Sequence, residues 1–582
     1  MFIDSRSVEN RSVLEATVCI IGAGVAGITF ALEMDKLGID TCVLESGGYK
    51  PDDDTRDLYR GENVGIPYTF ADGSRSRFLG GSSNCWGGWC RPLDPWDFEK
   101  RDWVQDSGWP FGLEELQPYY ARTHTLLQLG PQEFDPAHWE AAINRADVRR
   151  HPLPSGNVRD TISQFSPPVR FGKQYRNELI KSRHVRVLLH ANALDIETDP
   201  QAQEVTRIQV GTLSGQRFAV AAKVFVLATG GIENARLLLA ANRVQPSGLG
   251  NGHDLVGRYF MDHPRVMSGS IRFSKAWARN KLYDIKYHYQ NDAVKAHGQH
   301  ISSQFALTQQ VLEREKLLNA RVWFYSMFYG ENTAGAEALI RCKQAVLKKD
   351  QPGWSLSRDL MTMALHPLEA GSFGAARLFQ PRALITDVKF QTIVEAEPNR
   401  NSRVTLSTQR DRLGMNRVKV DWQLTELVKR TFDRTNTLLA QEMENAGVAK
   451  VTLDAPLEGR AWPAELEGTW HHMGTTRMHD SAKCGVVDRD CKVHGMSNLY
   501  VAGSSVFPTV GANFPTITIT ALTLRLAEHI AHTLHAGNAT SLADVATLTH
   551  ALPAAGEPVG EKLPFAAEVR PVREDLLFLV KK

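Results

Sequence analysis

The run Thr17-Val18-Cys19-Ile20-Ile21 leads directly into Gly22-Ala23-Gly24-Val25-Ala26-Gly27, a G-x-G-x-x-G, and this junction constrains the fold more than any other stretch. A short apolar, β-branched run predicts a strand buried on both faces, the environment of a parallel sheet. The glycines then have separate duties. Gly22 permits the tight turn, Gly24 lets backbone amides approach a pyrophosphate, and Gly27 lets helix and strand pack closely. A helical pattern follows through Ile28, Leu32 and Met34, so Val25 and Ala26 open a helix whose free N–H groups and positive dipole end face the turn. The next strand, Thr41-Cys42-Val43-Leu44, ends in Glu45 and Ser46. A carboxylate at Glu45 can accept both ribose hydroxyls and would repel a 2′-phosphate, so FAD or NAD fits better than NADP. These residues leave the choice between FAD and NAD open.

With 582 residues the chain exceeds what one hydrophobic core usually serves, and two domains or one elaborated domain are expected. A formal net charge of +2 gives no reason to expect a polyanionic partner. The cluster Arg145, Arg149, Arg150 reads as a solvated face rather than a nucleic-acid site. No stretch of 18 apolar residues is present, so no membrane span is expected, and residues 1–16 lack the apolar run of a secretory signal. The seven cysteines are odd in number and scattered, and Cys19 and Cys42 fall inside predicted buried strands. A reduced, cytoplasmic protein is the simplest account. Cys85/Cys90 and Cys484/Cys491 lack the short spacing of metal ligands, so no metal is expected.

Residues 51–130 are loop-rich and contain Gly80-Gly81-Ser82-Ser83-Asn84-Cys85-Trp86-Gly87-Gly88-Trp89, where backbone can approach a ligand or turn sharply. A strand returns at Lys223–Ala228 and passes through Thr229-Gly230-Gly231 into a helix at Asn234–Leu239, a unit suited to the same parallel sheet. Residues 265–460 change character, with strands at Arg403–Leu406 and Arg417–Asp421 and a helix around Leu424–Ala446. The chain then returns through Asn498–Gly503 to a helix starting near Pro515 and running through His529. The organisation expected is a dinucleotide-binding domain in two parts, 1–264 (with a cofactor-contacting loop at 78–92) and 461–535. A substrate domain is inserted at 265–460, and a loosely packed tail follows at 536–582.

Five separated stretches, VCIIGAGVAGITFALEM, FLGGSSNCWGG, FVLATGGIENARLLL, the EAEPNRNSRVTLS and DRLGMNRV pair, and TWHHMGTTRM with NLYVAGSSVFPTVGANFPTITITAL, carry a likeness that covers roughly residues 16–535. In order and separation the chain resembles the glucose–methanol–choline (GMC) oxidoreductase family, and within it the branch of pyranose 2-oxidase and the membrane-linked bacterial sugar dehydrogenases. The resemblance implies an α/β fold: a Rossmann-like FAD-binding domain built from discontinuous segments, with an inserted α+β substrate domain and the flavin between them. It implies FAD rather than NAD, contacted by Gly81, Ser82, Asn84, Cys85, Trp86 and Gly87 of the second stretch. Thr229 and Gly230 of the third and Gly503, Pro515 and Thr516 of the last would join them.

It implies oxidation of an alcohol, in the first reading a secondary hydroxyl of a sugar or glycoside, by hydride transfer to flavin N5. His471 matches the family's catalytic base, and Asn513 matches the second active-site position, where an amide can hold the substrate oxygen. Adjacent side chains of an extended segment face opposite ways, so His472 reads as structural, as does His263 of Asp262-His263-Pro264, itself part of a recurring family stretch. Alternative readings are a hydrophobic or sterol alcohol, with Trp323, Phe324 and Tyr325 supplying an apolar pocket, or an FAD-containing lyase. Cys85 stands where relatives carry a histidine bonded to the flavin. Non-covalent FAD beside a bystander thiol, a thioether link, and a redox or substrate role all stay open there. Without a close cysteine cluster for iron and sulfur, electrons would leave directly from the flavin. Oxygen, a quinone or a cytochrome could each receive them, and there is room for a small partner subunit.

Overall fold

The computed structural model describes residues 1–69, 74–146, 148–153, 156–274, 281–285, 294–296, 298–331, 333–346, 355–379 and 382–536. The expected tail lies outside the described residues from 537 onward.

The apolar run that opens the sequence forms the strand Val13–Ile21, whose last four residues are fully buried. It pairs in parallel with Thr41–Leu44 on one side and Arg217–Leu227 on the other. Val185–Leu189 and then Phe2–Asp4 extend the sheet in parallel beyond Thr41–Leu44. Arg217–Leu227 is long enough to take two partners on its outer edge. Its first half pairs antiparallel with Val205–Gly211, which in turn pairs with Asn192–Thr198. Its second half pairs in parallel with Leu499–Val501, which brings the far end of the chain into the sheet.

Four parallel strands therefore end on the same edge, and the segments that leave them, at Gly22, Glu45, Ala228 and Ala502, meet there. Three of these lead into the helices Val25–Lys36, Gly231–Ala240 and Thr516–Ala536, which start at that edge. Val25–Lys36 and Thr516–Ala536 pack on each other, and Gln117–Leu127 packs on the latter. This is the crevice at the carboxyl ends of the strands where open α/β sheets bind ligands.

A second, antiparallel sheet runs in the order Ala449–Leu453, Pro264–Phe273, Ile385–Val394, Ala320–Phe328, Gln299–Leu307, Val158–Phe165 and Trp89–Cys90. Helix Glu426–Asn445 packs against its strands, with Leu438, Leu439 and Met443 in the same core as Phe324 and Phe390. Strand alternation divides the tryptophan–phenylalanine–tyrosine run. Trp323 and Tyr325 join the cluster of Trp89, Phe165, Ile285 and Ile393, while Phe324 points into the core on the helix side. A small third sheet joins Arg403–Arg410, Asn416–Asp421 and Gly61–Asn63.

The fold class is as the sequence implied, but the chain enters the second sheet before residue 265, at Trp89–Cys90 and Val158–Phe165. The latter, Val-Arg-Asp-Thr-Ile-Ser-Gln-Phe, has neither an apolar run nor an alternation to mark it. Its Thr161, Ser163 and Gln164 are buried as hydrogen-bonded polar residues. Among the described residues no helix is long and apolar enough to cross a membrane.

Candidate active site

One continuous cavity follows the edge where the parallel strands end and extends to the face of the second sheet. Gly22, Gly24, Val25, Ala26, Glu45 and Ser46 line it, as do Gly81, Ser82, Cys85, Trp86 and Gly87. Thr229, Gly230, Gly503, Pro515 and Thr516 complete the set. Helices Val25–Lys36 and Gly231–Ala240 begin at Gly24 and Gly230 with no side-chain cap, so their first N–H groups are left for a ligand. Glu45 is buried, with Oε2 accepting from Ala23 N at 3.1 Å and Oε1 from Gly47 N at 2.9 Å. Burial raises its carboxyl above the usual range, and those backbone bonds oppose the shift. The Gly81 loop is held from behind, where Arg170 Nη1 donates to Ser83 O at 2.7 Å and to Trp86 O at 3.0 Å. The Cys85 thiol donates to Ser82 O at 3.3 Å.

Two features show that a large polar ligand fits this cavity. Gly230 and Gly503 have φ of +88° and +113°, and a Cβ on either would stand in open space. Ser74 Oγ, Arg77 Nε and His472 Nε2 are buried cavity-lining atoms without a hydrogen-bond partner among the described residues. Buried polar atoms are otherwise almost always paired, so these await a partner. Glycine loops, uncapped helix starts and a carboxylate at the end of the second strand together make a site for a dinucleotide.

Two members of the expected cofactor set act elsewhere. A Cβ on Gly27 would stand 1.8 Å from Gly22 O, so Gly27 serves the packing of helix against loop rather than the cavity wall. Asn84 turns inward and donates to Leu79 O at 3.0 Å and Gly81 O at 2.9 Å, bracing the loop. Tyr59, Arg77 and Arg265 also line the cavity and lie outside the five family-like stretches, while Glu233 and Thr469 lie within them but were not singled out. Glu233 pairs with Arg75 at 3.0 Å, Arg236 at 3.1 Å and Arg77 at 3.4 Å, and these guanidinium groups hold its carboxyl down to about 2 against the effect of burial.

His471 lines the cavity where the two sheets meet. Its Nδ1 lies 2.9 Å from Thr469 Oγ1 and 2.9 Å from His263 Nδ1. Asp262, fully buried, grips the same segment: it accepts from Trp470 N at 2.8 Å, His471 N at 2.9 Å, Thr469 Oγ1 at 2.8 Å and Tyr68 Oη at 2.5 Å. Trp470 is held at φ +63°, a conformation a bulky side chain adopts only under such restraint. Burial, then the neighbouring His263 and Arg265, pushes the imidazole of His471 well below its ordinary value, so it is neutral near pH 7. His472 also lines the cavity, its ring packed against Tyr68 and Phe260, and burial lowers it to about 3.

Trp89, Trp323, Ile285, Ile393 and Phe514 line the same cavity as His471. Trp89 stacks on Trp323 at 5.6 Å, and Phe514 lies 4.8 Å from Trp89 and edge-on to His471 at 5.9 Å. Asn513 does not reach this space. Its Oδ1 accepts from Arg321 Nε at 3.0 Å and its Nδ2 donates to Pro92 O at 2.6 Å, so both ends of the amide are engaged behind the wall. The expectation that Asn513 holds the substrate oxygen is therefore corrected. It is the next residue, Phe514, that faces the cavity. His263 is also more than the structural histidine expected of it, because it touches His471 directly.

The chain matches the GMC oxidoreductase family over residues 398–523 and the FAD dependent oxidoreductase family over residues 17–247, two stretches that supply most of the residues lining this cavity. The chain belongs to the GMC oxidoreductases. Like the family, it is an FAD-dependent enzyme acting on alcohol groups. It is 24% identical to 6'''-hydroxyparomomycin C oxidase of Streptomyces lividus, over 90% of this chain and 92% of that one. It is 22% identical to the fructose dehydrogenase large subunit of Gluconobacter japonicus, over 91% of this chain and 100% of that one. Among solved structures, pyridoxine 4-oxidase from Mesorbium loti shares the fold with a TM-score of 0.53 at 15% identity, covering 89% of this chain and 99% of that one.

Proposed function

We propose that this GMC oxidoreductase oxidises a secondary hydroxyl of a sugar or glycoside, with His471 accepting the hydroxyl proton. The observation that carries the reading is the setting of His471. Nδ1 is committed to Thr469 and His263, and the ring lines the same cavity as the glycine loops and the aromatic residues of the second sheet. FAD, when bound, supplies the acceptor for the hydride that leaves the alcohol carbon. The protein's own groups hold the hydroxyl against an imidazole that is neutral near pH 7, take up its proton and exclude water. Trp89, Trp323 and Phe514 offer flat apolar surface to the C–H face of a ring.

Two relatives named for a fructose and a hydroxyparomomycin substrate support the carbohydrate class. The same aromatic wall favours one other reading, an alcohol with a hydrophobic body. A panel of sugars, glycosides and long-chain or sterol alcohols, mixed anaerobically with the holoenzyme while the flavin absorption is followed, separates the two. Bleaching by sugars or glycosides and not by apolar alcohols is expected, and the reverse pattern would overturn the carbohydrate assignment. Reoxidation by oxygen, a quinone or a cytochrome can be compared in the same apparatus. The "large subunit" in the name of the fructose dehydrogenase relative supports a search for a small partner subunit.

A further inference from the structure

A neutral imidazole carries one N–H and one lone pair, and what each nitrogen touches decides which is which. Gly511 O is a carbonyl and can only accept, so its contact of 2.9 Å with His263 Nε2 places the His263 proton on that nitrogen. Burial keeps His263 neutral, pushing it below its ordinary value, and its Nδ1 is left with a lone pair aimed at His471 Nδ1, 2.9 Å away. Thr469 Oγ1 donates its own hydrogen to Asp262 Oδ1 at 2.8 Å and faces His471 Nδ1 at 2.9 Å with lone pairs. Two acceptors thus converge on one nitrogen, which must carry the hydrogen. His471 Nε2 is the remaining nitrogen, and among the described residues nothing hydrogen-bonds it.

We propose that His263, assisted by Thr469, is a positioning residue that locks His471 in the Nδ1–H tautomer and leaves the Nε2 lone pair to receive the substrate proton. This rests on the reading of His471 as the base and adds what makes it competent. The lock serves both protonation states. Once Nε2 has taken a proton, Nδ1–H still donates to the same two lone pairs, which then stabilise the imidazolium. The adjacent residue completes the device, because Asp262 fixes the backbone of Trp470 and His471 while His263 fixes the ring. One dipeptide therefore sets both the place and the protonation pattern of the base, from a position 208 residues earlier in the chain.

The test compares His263→Leu, which removes the acceptor, with His263→Asn, whose Oδ1 can stand near the Nδ1 position and accept again. Holoenzyme of each is checked for bound FAD and melting temperature. Flavin reduction is then followed at saturating substrate, and nitrogen-15 NMR is recorded on histidine-labelled protein, the His471 signals being assigned by their loss in His471→Gln. In the wild type Nδ1 is expected to be protonated and Nε2 bare. In His263→Leu the two tautomers should mix and the reduction rate should fall roughly 10–100-fold, the scale of losses from removing a group that orients a reacting one. Substrate affinity should not change, and His263→Asn should recover most of the rate. The proposal is overturned by a wild-type ring protonated at Nε2, by His263→Leu reducing at the wild-type rate, or by His263→Asn as slow as His263→Leu with FAD retained. If His471→Ala itself still reduces FAD, the base assignment fails first. If His471→Ala is inert and His263→Leu is not impaired, only the tautomer lock fails.

Discussion

The imidazole of His471 lines the cavity and the amide of Asn513 does not, and their partners give them different work. Asn513 joins Arg321 Nε at 3.0 Å to Pro92 O at 2.6 Å, so Asn513→Ala strands a buried guanidinium N–H and a carbonyl. Loss of such pairing costs about 1–3 kcal/mol for each group left unsatisfied. Chemical denaturation should show a destabilisation of that order, while flavin reduction at saturating substrate falls far less than in His471→Ala. A stable Asn513→Ala that no longer reduces FAD would return the amide to the reacting centre. His471 was legible in the sequence because a motif marks it. Its surroundings were not, because Asp262 and His263 act from a distant segment and His263 gives no local sign that its ring will meet another histidine. Asn513 was misread for a related reason: a motif gives spacing along the chain, whereas function needs the direction of the side chain, and in the turn at 511–514 it is Phe514 that enters the cavity.

At the scale of elements, glycines separate packing from binding. The first strand, the glycine turn and the helix after it could be read from sequence because each is a local pattern of buried β-branched residues and breakers. Which glycines face the ligand emerges only from the fold. Gly27 holds the helix against Gly22, and Gly27→Ala would drive a Cβ to 1.8 Å from Gly22 O. Both the yield of folded protein and its FAD content should collapse. Gly230→Ala meets no atom within 4 Å, although φ is +88°. That strain costs about 1–3 kcal/mol. Here the protein should remain folded and release its flavin more readily, as read by flavin fluorescence in the filtrate. Equal behaviour of the two variants would contradict the division of roles.

Across the whole molecule, the second sheet recruits strands from three stretches of the chain, and polar residues fill part of its interior. Asp94 pairs with Arg321 at 2.5 Å and Arg159 at 2.8 Å, and Arg101 pairs with Glu395 at 2.5 Å, joining the loop after Trp89–Cys90 to the strands behind the aromatic wall. Buried polar strands such as Val158–Phe165 escape a reading based on hydrophobic pattern, which is why the sequence put the start of this unit too late. The same interior sets a response to acid. Burial lowers His151 to about 4, where it stacks on Tyr283 at 5.0 Å, and lowers His472 to about 3. A histidine depressed in the folded state is protonated first in the unfolded chain. Its stabilising contribution is complete above pH 6.5, the ordinary histidine value, and is lost progressively as the pH falls below it. Melting temperature should therefore drop between pH 6.5 and pH 5, and His151→Leu should flatten that drop. An unchanged slope in the variant would show that His151 is not kept neutral in the folded protein.

The most direct measurement mixes holoenzyme anaerobically with its best sugar or glycoside substrate and follows flavin absorption, for the wild type and for His471→Ala with FAD still bound. Wild-type flavin should bleach, and His471→Ala should bleach at least about 100-fold more slowly, the scale expected for loss of a positioned base. A His471→Ala protein that bleaches at the wild-type rate would contradict the account.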